Sequence, residues 1–553
     1  MKHHRSLLMT FGLLASMTVC AQDATFHSFS YRGDDPRFDR AIDSSSQYFN
    51  PIVAGFYPDP SVCRAGDKFY LVNSSFSFFP GVPLFESTDL VNWRQTGHVL
   101  NRESQLPLKG QNTSGGIFAP AISYNEKNKT FYMITTNVGA GNFFVKSKDP
   151  AKGWSDPIYL RKIDGIDPSF FFDKDGRGYI VHNAPVDGGA DYEGQRAIRL
   201  FEFDVDGDSI KGDHVQIVRG GTHVSDKPIW IEGPHLFRNG KYYYLICAEG
   251  GTGEWHSEVV FRARNPKGPW EEYSGNPILT QREGLPPGRA DYVSSAGHAD
   301  MVKDKNGQWW AVFLGCRPYD KNVLYNTGRD TYLLPVTWKD GWPVILEKGK
   351  AIAAVGDKPG LHHVAGLHNT GNFEYTDKFD SGSLSEKWIF LRNPTAFYTF
   401  SGKGITIKPK SANIYERNSL SAIFRRQQHE NFSCETQLDF APTKDNQLAG
   451  FALLQTETHN ITFGKTMRDG KPIVELKRTN KGNREVIASA ALPEGTVRLK
   501  IVGHGQYYDF FYAVGDTPYQ TLAVGVDAAL LSTHDSGGFI GACIGLYATS
   551  NKS

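Results

Sequence analysis

The chain is poor in cysteine. Six cysteines in 553 residues, at positions 20, 63, 247, 316, 434 and 543, are too few and too scattered for a disulfide framework, and no pair has zinc-ligand spacing. They read as small apolar residues bound for the interior. Charge of one sign is also missing: 60 Lys and Arg against 59 Asp and Glu leave a net charge of +1. Without a basic run, nucleic acid is a poor partner for this chain. Past the N-terminus no stretch is apolar enough to span a membrane, and helical periodicity is absent from most of the sequence.

What is present points to β-structure. Aromatics make up 13% of the chain and there are 57 glycines, a composition of strands and tight turns. At roughly 100–200 residues per domain, the length implies two to four domains. The first residues have an export pattern: Lys2 and Arg5, an apolar run from Leu7, then Val19 and Ala21 at the −3 and −1 positions of a cleavage site. Residues 1–21 are therefore expected to be a signal peptide and the protein to be exported, to the periplasm or beyond the cell. A membrane anchor would need a longer run, and Met17-Thr18-Val19 is a poor approach to a lipid-modified Cys20. Residues 22–49 are polar and irregular and read as an N-terminal extension.

From Asn50 a degenerate unit recurs at a period of roughly 50–65 residues. Its copies open with "DPSVCRAGDKFYLVNSS", "APAISYNEKNKTFYMITTN", "DPSFFFDKDGRGYIVHN", "EGPHLFRNGKYYYLICAEGG" and "GHADMVKDKNGQWWAVFLG". Each has a small or proline-containing start, a strand, a polar turn, an aromatic strand and a more distant strand pair. That period fits blades of a β-propeller, and five units predict five blades over 50–355. Unrelated strands of a sandwich are the alternative. The repeat stops at a linker, 356–371, and the alternating strands of 372–553 favour a β-sandwich. The expected fold class is all-β, a five-bladed propeller followed by a sandwich.

The first strand of each propeller blade lines the central channel, so the unit starts converge at its mouth. In order these are Asp59-Pro60, Ala119-Pro120, Asp167-Pro168, Glu232-Gly233-Pro234 and Gly297-His298-Ala299-Asp300. A single Asp-Pro is more simply a turn or a cap. Three carboxylates at equivalent positions are different, because like charges gathered in one channel disfavour each other's ionisation. The proline after each start should fix the backbone and hold the preceding residue extended. Sites that need one protonated acid and one ionised base are built this way, and glycosidic hydrolysis is the reaction class that most often uses such a pair. Glu249 and Glu254 are rival acids that stand at no unit start.

The segments "GFYPDPS", "SGGIFAP", "GIDPSFFFDKDG", "EGPHLFRNGKYYYLICAEGGT", "GHADMVKDKNG" and "GRDTYLLPV" resemble glycoside hydrolase family 43, most of all its β-xylosidase and α-L-arabinofuranosidase branch. "FDSGSLSEKWIFLRNP", "RRQQHENFSCETQLDF" and "GGFIGACIGLYATS" resemble that branch's C-terminal concanavalin-A-like domain. The resemblance implies an inverting hydrolase that releases terminal xylose or arabinofuranose from xylan-type oligosaccharides. Endo-acting, arabinanase-like cleavage and a non-catalytic sugar-binding propeller are the alternatives. Asp59 would be the general base, Glu232 the general acid, and Asp167 the group that orients the acid and raises its pKa. Inversion needs room for a water, roughly 6.5–9.5 Å between base and acid.

The resemblance also implies that Arg329 reaches the terminal sugar's hydroxyls and that His298 hydrogen-bonds in the channel. Phe76 and Phe118 would wall the pocket; the latter position is often Trp in relatives. A surface ion pair for Arg329, a satisfied structural role for His298 and blade packing for the two phenylalanines are the plainer alternatives. The reaction needs no cofactor and no metal ligand set is visible, although the family sometimes shows a calcium near the position of His298. One loop of the C-terminal domain is an option for narrowing the pocket mouth. An oligosaccharide is the expected partner; oligomeric state is not legible.

Overall fold

In a computed structural model the described residues are 23–282, 284–286, 288–319 and 323–551. The signal-peptide segment lies outside them. The described residues are all-β, with one four-residue α-helix among them, Thr533–Ser536. No described helix is long and apolar enough to cross a membrane.

Residues 61–335 form five successive antiparallel sheets. Their first strands are Ser61–Ala65, Ile117–Asn125, Ile166–Phe172, Glu232–Asn239 and Ser294–Lys303. Each first strand lies beside that of the next sheet, and the fifth returns to the first. The segment before the first sheet completes this ring. Ile52 N–H donates to the Thr331 carbonyl (2.9 Å) and Tyr57 N–H to the Arg329 carbonyl (3.0 Å) of the fifth sheet's last strand, Arg329–Pro335. Apolar side chains from neighbouring sheets fill the spaces between them; Tyr57, Val62, Leu71, Trp93, Val312 and Leu333 share one such cluster.

Four of the five first strands start with a register shift. It falls between Phe118 and Ala121, between Ile166 and Ser169, between Glu232 and His235, and on both sides of Gly297. The cause is local in the first three: Pro120, Pro168 and Pro234 have no N–H to give the ladder, so pairing breaks there and a bulge forms. The residues before those prolines are not extended, as expected from the sequence, but left-handed. Asp59, Ala119, Asp167 and Gly233 have φ of 52°, 33°, 54° and 53°, and His298 in the fifth sheet has 52°. A positive φ in a non-glycine residue costs about 1–3 kcal/mol and persists only where the surroundings over-determine it. Here the packing of the adjoining first strands supplies that constraint, and Asp59, Ala119, Asp167 and His298 face one cavity.

Residues 374–549, joined by a segment from the N-terminus, form two further sheets around one core that includes Phe26, Phe29, Phe451, Phe463, Leu499 and Phe510. Ala24–Gly33, inside the presumed irregular extension, is an interior strand of one of them. It pairs with Asn431–Asp439 on one side and with Gly404–Ile407 and Glu374–Asp377 on the other. A bulge between Phe26 and Ser28 breaks its two-residue alternation, which hid the strand in the sequence. The five cysteines among the described residues are free and buried.

The two parts share structure. Phe390–Leu391 pairs with Phe78–Phe79, and Phe56, Phe76 and Phe78 pack with Ile389, Phe424, Leu454 and Ile540. Arg317, fully buried, donates to both Asp330 oxygens (3.0 and 2.9 Å), to Asp35 (3.1 Å) and to the Gln428 carbonyl (2.8 Å). One guanidinium thus ties the fifth sheet, the N-terminal segment and the C-terminal domain together.

Candidate active site

Asp59, Asp167 and Glu232 meet in one cavity of about 370 Å³, with Phe76, Phe118, His298 and Arg329 in its wall. Every site residue expected from the sequence is therefore in one place. The rival acids are elsewhere. Glu249 is buried against the N–H and hydroxyl of Thr222, and Glu254 lines a separate cleft with Trp255 and Arg282. A larger cavity of about 560 Å³ between residues 38–49 and 361–374 carries none of the three carboxylates.

Asp59 is held by three neighbours from three directions. Arg329 Nη1 donates to its Oδ1 at 2.7 Å, Ser74 Oγ donates to its Oδ2 at 2.6 Å, and His298 Nδ1 lies 3.7 Å from Oδ1. Ser74 also accepts from the Ala119 N–H (2.7 Å), which fixes its hydroxyl toward Asp59. Asp167 Oδ2 accepts from the Gly233 N–H at 3.1 Å, so the residue after Glu232 is anchored by the carboxylate beside it. A side chain at Gly233 would run into the His298 ring, with a Cβ only 2.7 Å from Nε2. Glycine at that position lets the third, fourth and fifth sheets close around the acids.

One wall comes from the other domain. Phe539 follows the short helix Thr533–Ser536 and reaches the cavity from the C-terminal part of the chain. Its ring stacks on Phe76 (6.1 Å between centroids) and meets Phe118 edge-on (5.3 Å), while its carbonyl accepts from Arg329 Nη2 (3.2 Å). The Phe539 N–H donates to Ser114 Oγ at 2.9 Å. The three rings and the guanidinium close one side of the pocket.

Residues 48–343 match the family model described as glycosyl hydrolases family 43, and 376–553 match the β-xylosidase C-terminal concanavalin A-like domain. The chain belongs to glycosyl hydrolase family 43. It is similar to a "Xylosidase/arabinosidase" of Butyrivibrio fibrisolvens, 36% identical over 91% of this chain and 96% of the relative. It also resembles the "Non-reducing end alpha-L-arabinofuranosidase BoGH43B" of Bacteroides ovatus, 35% identical over 91% of each. Among solved structures, a GH43_12 protein from a capybara gut metagenome superposes with a TM-score of 0.89 at 40% identity, covering 95% of this chain and 99% of that one. The protein is a glycoside hydrolase.

The electrostatics of this family 43 pocket separate its carboxyl groups. Burial pushes Asp59 up, but the Arg329 guanidinium, His298 and the Ser74 hydroxyl outweigh it and hold the group below its usual range. Asp167 is pushed up to about 7 by burial and by the charge of Asp59, against the pull of the Gly233 N–H. Burial, Asp167 and Asp59 raise Glu232 well above the ordinary glutamate range. Burial also lowers His298 to about 4, so its ring is neutral at neutral pH. The pocket therefore holds an ionised carboxylate and a protonated one side by side, the condition for paired base and acid catalysis. Among the described residues no group of three or more His, Cys, Asp and Glu is placed to hold a metal ion.

Sequence reading missed Ser74, Trp230 and Phe539. Ser74 lies in "VNSSFSF", where nothing separates it from its neighbours. Trp230 stands two residues before Glu232 in "PIWIEGP", so its closeness to a unit start was a usable signal. Phe539 is more than 200 residues from any other part of the site, and only "GGF" marks it.

Proposed function

We propose that the protein is an exo-acting, inverting hydrolase that releases a terminal xylose or arabinofuranose from xylan-type oligosaccharides, built on a five-bladed propeller. The observation that carries this reading is the opposite displacement of Asp59 and Glu232 from their ordinary titration ranges within one pocket. Asp59, ionised, takes a proton from a water, and that water attacks the anomeric carbon. Glu232, protonated, gives its proton to the departing glycosidic oxygen. Asp167 raises Glu232 by repulsion and fixes the Gly233 backbone beside it. Arg329 keeps Asp59 ionised and presents its guanidinium edge to sugar hydroxyls.

The aromatic closure by Phe76, Phe118 and Phe539 favours a pocket for a chain end over the open groove that endo cleavage needs. The activities in the relatives' names, xylosidase/arabinosidase and α-L-arabinofuranosidase, support a pentose as the sugar released. Five sheets whose first strands adjoin in a ring support the blade count. The N-terminal export pattern supports secretion. The chemistry described uses two carboxyl groups and a water; it calls for no cofactor and no calcium near His298.

The test is a side-by-side assay of 4-nitrophenyl β-D-xylopyranoside and 4-nitrophenyl α-L-arabinofuranoside with the wild type and Glu232→Gln. Turnover of at least one substrate by the wild type, and loss of natural-oligosaccharide cleavage by about 10³-fold in the variant, is expected. Proton NMR of the first-formed sugar reads the anomer and so the inversion. Unchanged oligosaccharide cleavage by Glu232→Gln would remove the assignment.

A further inference from the structure

Among the aromatic residues lining the pocket, Phe76, Phe118 and Phe539 are buried or half-buried, whereas Trp230 stands 45% exposed. A partly exposed indole in the lining of a pocket that holds three carboxyl groups offers an apolar face to a bound molecule. Its backbone is not loose. The Trp230 N–H donates to the Gly194 carbonyl at 2.8 Å, the Gly250 N–H donates to the Ile229 carbonyl at 2.9 Å, and Asn183 Nδ2 donates to the Ile231 carbonyl at 2.6 Å. Hydrogen bonds from both sides thus clamp three consecutive residues, with Trp230 at a φ of 54°. Left-handed backbone in a bulky residue is a strained state that its surroundings have to enforce.

Two glycines border this segment. A Cβ on Gly251 would make ordinary van der Waals contact with Trp230 Cδ1 at 3.5 Å, and one on Gly194 would run into Ile229, 2.8 Å from its Cγ2. The Arg196 guanidinium stands 6.0 Å from the ring and is itself held by Asn183 Oδ1. The result is a preorganised, partly exposed indole, two residues before Glu232, in the lining of the pocket that the three phenylalanines also wall.

We infer that Trp230 is the stacking platform for the sugar on the leaving side of the scissile bond. The inference rests on the hydrolase reading above. A general acid must lie within hydrogen-bond reach of the oxygen it protonates, so the ring attached to that oxygen emerges on the Glu232 side of the pocket. A sugar ring offers an apolar C–H face there, and an indole covers it with little loss of side-chain freedom. Trp255, at 69% more exposed still, lines the separate cleft and is not the platform.

The test uses Glu232→Gln as the non-hydrolysing parent and calorimetric titration with two probes. One is the pentose disaccharide that the wild type cleaves, xylobiose or α-1,5-arabinobiose; the other is the free pentose it releases. Adding Trp230→Ala should weaken disaccharide binding about tenfold or more and leave the free pentose within about twofold. Adding Trp230→Phe should recover most of the disaccharide affinity. Equal loss for both probes would mean that Trp230 only shapes the pocket, and unchanged disaccharide binding that it touches no sugar; either overturns the inference. Failure of the hydrolase reading shows separately, as no pentose release by the wild type or full turnover by Glu232→Gln, and takes this inference with it.

Discussion

Arg329, in the last strand of the fifth sheet, donates a 2.7 Å hydrogen bond to Asp59, at the start of the first. The contact spans the seam where the ring of sheets closes. The ionisation of Asp59 thus depends on a residue from the other side of that seam, and Phe539, whose carbonyl takes the second Arg329 nitrogen, links the C-terminal domain to both.

Arg329→Leu removes the main force that holds Asp59 low, and burial then dominates. The pKa of Asp59 rises, so the acidic limb of the pH profile of kcat/KM should move up by about 1–2 pH units. At the optimum kcat/KM should fall about 10²-fold or more. A pH series on an aryl glycoside measures both.

Asp167→Asn keeps an oxygen to accept from Gly233 N–H but removes the charge that raises Glu232. Glu232 should then titrate lower, and the basic limb of the profile should shift to lower pH, with kcat reduced about 10²-fold. A basic limb that stays in place would show that Asp167 does not act on Glu232 through its charge.

The same variant should be more stable than the wild type in mildly alkaline buffer. A carboxyl group whose folded pKa is raised binds its proton more tightly in the folded state. Its stabilising contribution is full below the unfolded value near 4 and is lost as pH rises through about 7. Asparagine has no such dependence. Denaturant unfolding at pH 8 and at pH 4 should show Asp167→Asn gaining about 2–4 kcal/mol relative to the wild type between the two.

Phe539→Ala opens the pocket wall from the domain that supplies no carboxylate. KM for a small aryl pentoside should rise about tenfold, with a much smaller change in unfolding midpoint, because the ring is only half-buried. Comparing steady-state kinetics with thermal unfolding separates the two effects.

Arg317→Met leaves Asp330 and Asp35 buried without their shared cation. Breaking a buried ion pair from one side costs about 3–5 kcal/mol, so the denaturant midpoint should fall markedly. Asp330 adjoins Arg329, so activity should fall before global unfolding as denaturant is raised.

The acids were legible because their signal is local and repeated. Asp59-Pro60, Asp167-Pro168 and Glu232-Gly233-Pro234 each join a carboxylate to a proline, and a proline without an N–H breaks the strand ladder wherever it falls. What proline did not reveal was the sign of φ. Its local preference is for an extended neighbour, and packing of five first strands overrides it.

By itself, then, the sequence determined the all-β class, the repeating units with their inner strands, and the three carboxylates, since each follows from residue spacing and backbone chemistry within a few positions. Tertiary structure alone decided how those carboxylates are charged and what encloses them. The Asp59–Arg329 bond, the Phe539 wall and the pairing of Ala24–Gly33 with Asn431–Asp439 join residues more than 200 positions apart. Burial and charge proximity are properties of such long-range contacts, and no local pattern encodes them.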